Sequence, residues 1–253
     1  MTFDPQLIVG PELTAQTGIG VVAPFDFALD RELWRWTPDE VSLFMTRLPY
    51  VPVPVTVEMA SALSDHSIVR QATRDVLAPE PLAVAYACTS GSFIRGAEGE
   101  RELTQTMLGA GAPAATTSSG ALVEALQTLE MNRIAVVTPY IDSVTDRLVS
   151  FLGSHGVGVV SSVGMGLLNH IWKVGYGEVV TAVSAVDRPE AEAVFISCTN
   201  VPTYDIIAPL ERMIGKPVLT ANQVTMWSAL RAMGCQAAGD GQWLVQSTRA
   251  TAA

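Results

Sequence analysis

Apolar residues along this chain fall into short runs broken by glycine, proline and small polar residues. Runs of four to eight apolar or alternating residues bounded by turn chemistry read as strands, and apolar positions spaced three and four apart read as helices. Strands are predicted at 19–22, 41–48, 82–88, 114–116, 134–138, 157–161, 193–198 and 217–220. Helical spacing predicts helices at 67–77, 98–108, 119–129, 142–155, 176–186, 205–214 and 223–233. Residues 30–36, with Trp34 and Trp36, open a further helix or a lid. The proline-rich segment 49–55 lacks the N–H groups a central strand needs and reads as a loop or flap. The glycine-rich segment 164–173 reads as a loop facing that flap, and residues 1–16 as an irregular arm.

Two of the strands end alike. The run 82–87 stops at Cys88 and is followed by Thr89, Ser90, Gly91 and Ser92; the run 193–197 stops at Cys198 and is followed by Thr199 and Asn200. The cysteines are 110 residues apart, and at that offset Ala72, Val76, Pro79, Glu80, Ala83 and Val84 also recur as Ala182, Val186, Pro189, Glu190, Ala193 and Val194. Ile19, Val21, Val22 and Pro24 recur 115 residues on, and Gly111, Pro113, Thr116, Ala125 and Leu126 recur 104 residues on. This self-similarity predicts an internal duplication with small deletions in the second copy. Strands alternating with helices in each copy imply an α/β fold: two Rossmann-like parallel-sheet halves, 1–128 and 129–253, related by a pseudo-two-fold axis. In such sheets the ligand crevice lies outside the carboxyl ends of the strands, which brings Cys88 and Cys198 to one cleft from opposite sides.

Composition narrows the reading. Hydrophobic content of 49% and a mean hydropathy of +0.31 support a large core, yet no run reaches the length of a membrane span. The start of the chain lacks a basic, apolar leader pattern, so a cytoplasmic protein with no membrane partner is expected. A net charge of −10 argues against a nucleic-acid partner. Three cysteines without C-x-x-C spacing argue against a zinc site or a disulfide framework. Cys235 lacks the strand-end context of the other two and reads as structural. His66, His155 and His170 read as surface residues, and His170 is the one of them in a candidate active-site loop.

Two thiols facing one planar carbon have defined uses. One can remove a proton while the other delivers one, which is racemisation. A thiolate can also add to an activated double bond, allow rotation and leave, which is cis–trans isomerisation. Either reaction calls for a thiol made more acidic than a free cysteine, and the donors at 89–92 point to Cys88.

The two cysteine strands, V-T-P-Y at 137–140 and S-S-G-A-L-V-E-A-L at 118–126 resemble the aspartate/glutamate racemase superfamily. Within it, the likeness is to maleate cis–trans isomerases and arylmalonate decarboxylases. The resemblance implies two Rossmann-like halves, no metal, no cofactor, and a homodimer or homotetramer acting on a small carboxylate. It implies that Cys88 is the nucleophile, that Cys198 handles protons, and that Tyr140 and Asn169 contact substrate. Thr89, Thr199 and Asn200 would supply hydroxyl, amide or backbone donors to carboxylate oxygens. Decarboxylases of this kind carry glycine in place of the first cysteine, so Cys88 favours an isomerase or racemase. The chain departs from the isomerase pattern at Asp26, where an asparagine is expected. That carboxylate either takes a proton or pairs with a nitrogen on the substrate, or else caps the following helix. The segments around Asp26 and 51–59 resemble members accompanying ectoine-degradation enzymes. The leading expectation is a cofactor-independent, maleate-isomerase-like enzyme. The alternatives are a racemase or epimerase of an amino acid or its derivative, a decarboxylase, and a non-catalytic small-acid binding protein.

Overall fold

The computed structural model describes residues 17–249, so the expected N-terminal arm lies outside the described residues. The first half of the chain runs β1 (Thr17–Ala23), α1 (Asp30–Trp34), β2 (Val41–Arg47), α2 (Val57–Leu63), α3 (His66–Leu77), β3 (Ala83–Tyr86), α4 (Thr89–Phe93), α5 (Gly96–Ala110), β4 (Ala115–Thr117) and α6 (Ser118–Thr128). The second half runs β5 (Arg133–Thr138), α7 (Asp142–Ser154), β6 (Gly158–Gly164), a 3₁₀ turn at Ile171–Lys173, α8 (Tyr176–Val186), β7 (Ala193–Ile196), α9 (Tyr204–Ile214), β8 (Val218–Thr220), α10 (Ala221–Ala232) and α11 (Trp243–Arg249).

Each half builds one four-stranded parallel sheet, in the order β2-β1-β3-β4 and β6-β5-β7-β8. The central strands are unbroken apolar runs because helices cover both of their faces: β3 and β7 are buried at every residue. The outer strand β6 instead alternates between exposed and half-buried residues, as one with a solvent face does. Helix α3 shows how the helices dock. Asp65 caps it by accepting from the N–H groups of Ser67 and Ile68, and Val69, Ala72, Thr73 and Val76 form its buried stripe.

The register confirms the duplication and corrects one part of it. Ile19 pairs with Ala83 in the first sheet, and Ile134 with Ala193 in the second, which fits offsets of 115 and 110. Tyr86 pairs with Thr117 and Ile196 with Thr220, so Thr117, not Thr116, is the counterpart of Thr220. Both threonines cap the next helix with their hydroxyls. The offset of 104 holds at Gly111 and Gly215, which end α5 and α9 in the left-handed region. One residue is lost between those glycines and the strands that follow.

Helix α10 joins the halves. Every residue from 221 to 230 is buried, and the helix packs on α6 and on β3 and β4 of the first sheet as well as on β8 of its own. Thr225 Oγ1 donates to Ser118 Oγ at 2.8 Å, and Ser228 Oγ donates to Glu124 Oε2 at 2.6 Å. The Glu32 carboxylate of α1 accepts from both the N–H and the hydroxyl of Thr203, at the start of α9. The chain after α10 returns to the first half, where Trp36 Nε1 donates to Gln242 Oε1 at 2.8 Å. These cross-links hold the two strand-end clusters in a fixed relation.

Candidate active site

In each sheet the connections leave the central pair of strands in opposite directions, so each sheet has a switch point where a crevice opens. The four central strands deliver one functional side chain each at their carboxyl ends: Asp26 beyond β1, Cys88 beyond β3, Tyr140 beyond β5 and Cys198 beyond β7. All four line one cavity, together with Thr89, Thr199, Asn200, Ile171 and the α2 residues Met59 and Leu63. The predicted convergence of the two cysteines is therefore present. The cavity volume is about 20 Å³, room for about one water molecule.

The local settings of the cysteines differ. Cys88 is buried, has extended backbone and occupies the N-cap of the five-residue helix α4. Cys198 has φ of +83°, a conformation that a non-glycine residue adopts only under constraint from its surroundings. It is followed by a turn, and α9 begins only at Tyr204, so no helix starts directly at the second cysteine as it does at the first. The expectation of an acidified thiol is not met. Burial pushes Cys88 up to about 11, against the pull of the Gly91 N–H and the Tyr86 hydroxyl. Burial pushes Cys198 up to about 12, against the Asn200 N–H and the Tyr140 hydroxyl. The Asp26 charge raises both further. The donors foreseen from the sequence are in place, but desolvation of the sulfurs outweighs them.

The hydroxyl and amide groups divide into two sets. Thr199 Oγ1 donates to the Ala87 carbonyl at 3.0 Å, and Asn200 bonds to the backbone of Asp26 and Ala28. These two side chains bind the opposite half of the protein, while both residues line the cavity. Thr89 Oγ1 is buried without a hydrogen-bond partner, and the buried Tyr140 hydroxyl makes no full hydrogen bond but lies beside Cys198 and Ser197; both residues line the cavity. Buried polar groups are nearly always paired, so these two hydroxyls are candidates for a ligand's oxygens. Burial and the neighbouring Cys198 hold the Tyr140 phenol well above its usual range, which keeps it a donor. Phe93 of α4 packs edge-on against Tyr140, 6.1 Å between centroids, and fixes the ring.

Asp26 is half-buried, and desolvation pushes its carboxyl up against the pull of its own backbone N–H and Asn200. It does not cap a helix: α1 starts at Asp30, with Leu29 at the N-cap. Outside the cavity lies a larger chamber of about 410 Å³, lined by Phe25, the flap residues 50–55, Leu168, Asn169, His170 and Trp172. Asp26, Val55 and Met59 border both spaces. The two loops meet where the Val55 N–H donates to the Leu168 carbonyl at 2.8 Å. Asn169 is exposed in the outer chamber and does not reach the thiol cavity. Among the described residues, no lysine or arginine lines either space. His66 sits beside Glu102 and His155 against Phe151, both away from the cavity. Trp36 is core, Trp34 is exposed, and Trp172 alone of these tryptophans borders the chambers.

Sequence reasoning missed Tyr86, which touches Cys88. The signal was present, because strand alternation puts residues two apart on one face. It also missed Met59 and Leu63, carried by a helix that the prolines before it obscured.

A family model described as arylmalonate decarboxylase matches residues 64–244. The arylmalonate decarboxylase of Bordetella bronchiseptica is 31% identical over 151 residues, which span 58% of this chain and 62% of that protein. The match thus covers somewhat under two-thirds of the decarboxylase. The maleate isomerase of Nocardia farcinica (strain IFM 10152) is 28% identical over 183 residues, 68% of this chain and 72% of that one. Among solved structures, a double mutant of arylmalonate decarboxylase in liganded form superposes with a TM-score of 0.81 at 26% identity, covering 91% of this chain and 99% of that chain. The Nocardia farcinica maleate cis–trans isomerase bound to Tris shares the fold, with a TM-score of 0.83 at 23% identity over 92% of this chain and 99% of that one.

Proposed function

The chain belongs to the arylmalonate decarboxylase family, and from that membership we propose a cofactor-independent isomerase of the maleate cis–trans type, with Cys88 as nucleophile and Cys198 as proton carrier. One observation carries this reading: the two cysteines stand at equivalent strand ends and line one cavity with Thr89 and Tyr140, whose hydroxyls make no full hydrogen bond. The relatives named maleate isomerase support it, as does a cysteine where the resemblance gives decarboxylases a glycine.

The steps follow from the placement. Cys88, neutral at rest because burial raises it, first releases its proton to solvent; the thiolate adds to one alkene carbon, the C–S bond forms and the π pair moves to the neighbouring carbon and its carboxylate. The Thr89 and Tyr140 hydroxyls donate to the oxygens on which that charge gathers. The Cys198 thiol gives its proton to the carbanionic carbon, and the bond between the two carbons turns. The Cys198 thiolate then recovers the proton, the C–S bond breaks, and the Cys88 thiolate leaves the trans acid. Atoms and protons balance without a co-reactant.

The test is to trap the adduct. A Cys198→Ser variant mixed with maleate, acid-quenched and digested, is expected to carry the added acid on the Cys88 peptide. An adduct on no cysteine, or on Cys235, overturns the assignment.

Asp26 favours a second reading. With a carboxylate at the mouth and no cation among the described residues lining either chamber, a dianion gains no ion pair from them and meets like charge. A substrate with one carboxylate and one nitrogen donor would place the nitrogen at Asp26, and the same two thiols would then racemise it.

A further inference from the structure

We propose that Tyr86 is a positioning residue that ties the ionisation of Cys88 to helix α2, by moving its one hydroxyl proton between the Leu63 carbonyl and the Cys88 sulfur. The inference builds on the reading of Cys88 as nucleophile, and concerns what controls that thiol.

Tyr86 ends β3 and is fully buried. Its hydroxyl donates to the Leu63 carbonyl at 2.8 Å. Leu63 is the last residue of α2, where helix carbonyls lose their partners, so the phenol completes that helix end. α2 follows directly on the proline-rich flap, and its residues Met59 and Leu63 form part of the cavity wall.

The same hydroxyl stands next to the thiol. A Cβ built on Gly91 would overlap Tyr86 Oη and come within 3.1 Å of Cys88 Sγ, so the two atoms flank one small gap that only glycine leaves open. A phenol has a single proton. While that proton is on the Leu63 carbonyl, the oxygen faces Cys88 only as an acceptor, which suits a neutral thiol. Turned toward Cys88, the hydroxyl donates to a thiolate and leaves Leu63 unpaired. Forming the thiolate and releasing the end of α2 are then one event. Burial and the neighbouring Cys88 hold the phenol itself well above its usual range, so it stays protonated in either state.

The experiment reads the thiol and not turnover, so its failure is distinct from failure of the isomerase reading. Iodoacetamide labelling against pH, resolved by peptide mass spectrometry, gives a midpoint for each cysteine. Tyr86→Phe is expected to raise the Cys88 midpoint by about one unit, a roughly tenfold slower labelling at a fixed pH below it, with Cys198 unchanged. Tyr86→3-fluorotyrosine, a better donor of the same shape, is expected to shift Cys88 the opposite way. Amide exchange at the end of α2 is expected to quicken as pH rises through the Cys88 midpoint in the parent, and not in Tyr86→Phe. An unmoved Cys88 midpoint in both variants, equal shifts at Cys88 and Cys198, or α2 exchange that ignores Cys88 ionisation would overturn the proposal.

Discussion

The side-chain amide of Asn200 clamps the loop that carries Asp26: Nδ2 donates to the Asp26 carbonyl at 3.1 Å, and Oδ1 accepts the Ala28 N–H at 2.9 Å. A residue two places after the second-half cysteine thus sets where a first-half carboxylate sits. Both polar ends of the amide are used, and their partners lie on the far half of the protein. Asn200→Ala removes both bonds across the halves. The expected loss is about 1–3 kcal/mol, the usual cost of leaving partly buried partners unpaired. Urea unfolding measures it, and an unchanged midpoint would show that the clamp contributes nothing.

Asp26 makes both thiols harder to ionise, since its charge raises Cys88 and Cys198 alike. Asp26→Asn removes that charge and is expected to move both iodoacetamide midpoints downward. It also removes like-charge repulsion at the mouth, so binding of a dicarboxylate is expected to strengthen and that of an amine-bearing acid to weaken. Calorimetry with maleate and an amino-acid panel checks the second effect. Midpoints that stay put would mean Asp26 points its charge elsewhere.

Glu211 predicts a stability change with pH. Its carboxylate accepts from the N–H of Val218 at 3.1 Å and of Trp243 at 2.9 Å, tying α9 to β8 and to the start of α11. Burial pushes it up to about 7 from an ordinary 4.5, against those two N–H groups. The folded state therefore binds this proton more tightly than the unfolded one. Stability from this group is whole below about pH 4.5, falls as pH rises toward 7, and is lost above it. The loss has an upper bound of about 3 kcal/mol at 1.4 kcal/mol per unit. Glu211→Gln removes the charge but keeps one of the two acceptor oxygens, so it is expected to be less stable than the parent at low pH and to lose the parent's fall in melting temperature between about pH 4.5 and 7. A fall over that range that persists unchanged in the variant would overturn the assignment to Glu211.

The sequence makes the sheets legible because their central strands are buried on both faces and their boundaries carry glycine, proline and hydroxyl residues, as at Cys88–Gly91. Helix α2 was hidden by Pro49, Pro52 and Pro54, which mark the flap but say nothing of the turn to helix at Val57. Helix α11 is short and docks through Gln242 and Glu211, contacts that no local pattern encodes. The positions of the cysteines were readable from the duplication, but their ionisation was not, because it depends on how far the closed cavity excludes water. The roles of Thr89 and Thr199 were equally hidden. They are counterparts in the repeat, yet Thr199 reaches the Ala87 carbonyl and Thr89 is left unpaired, an asymmetry set by how the halves meet.

The central claim is that both strand-end thiols are needed for one reaction. Proton NMR in D₂O tests it most directly, with maleate and an amino-acid panel offered to the parent protein and to Cys88→Ala, Cys198→Ala and Cys235→Ala. The account predicts that the parent converts maleate to fumarate, or exchanges the α-proton of an amine-bearing acid. It predicts that Cys88→Ala and Cys198→Ala each stop this while remaining folded, and that Cys235→Ala, altered outside the cavity, turns over at the parent's rate. Turnover that survives in either of the first two variants, or a parent that leaves every acid unchanged, would contradict it.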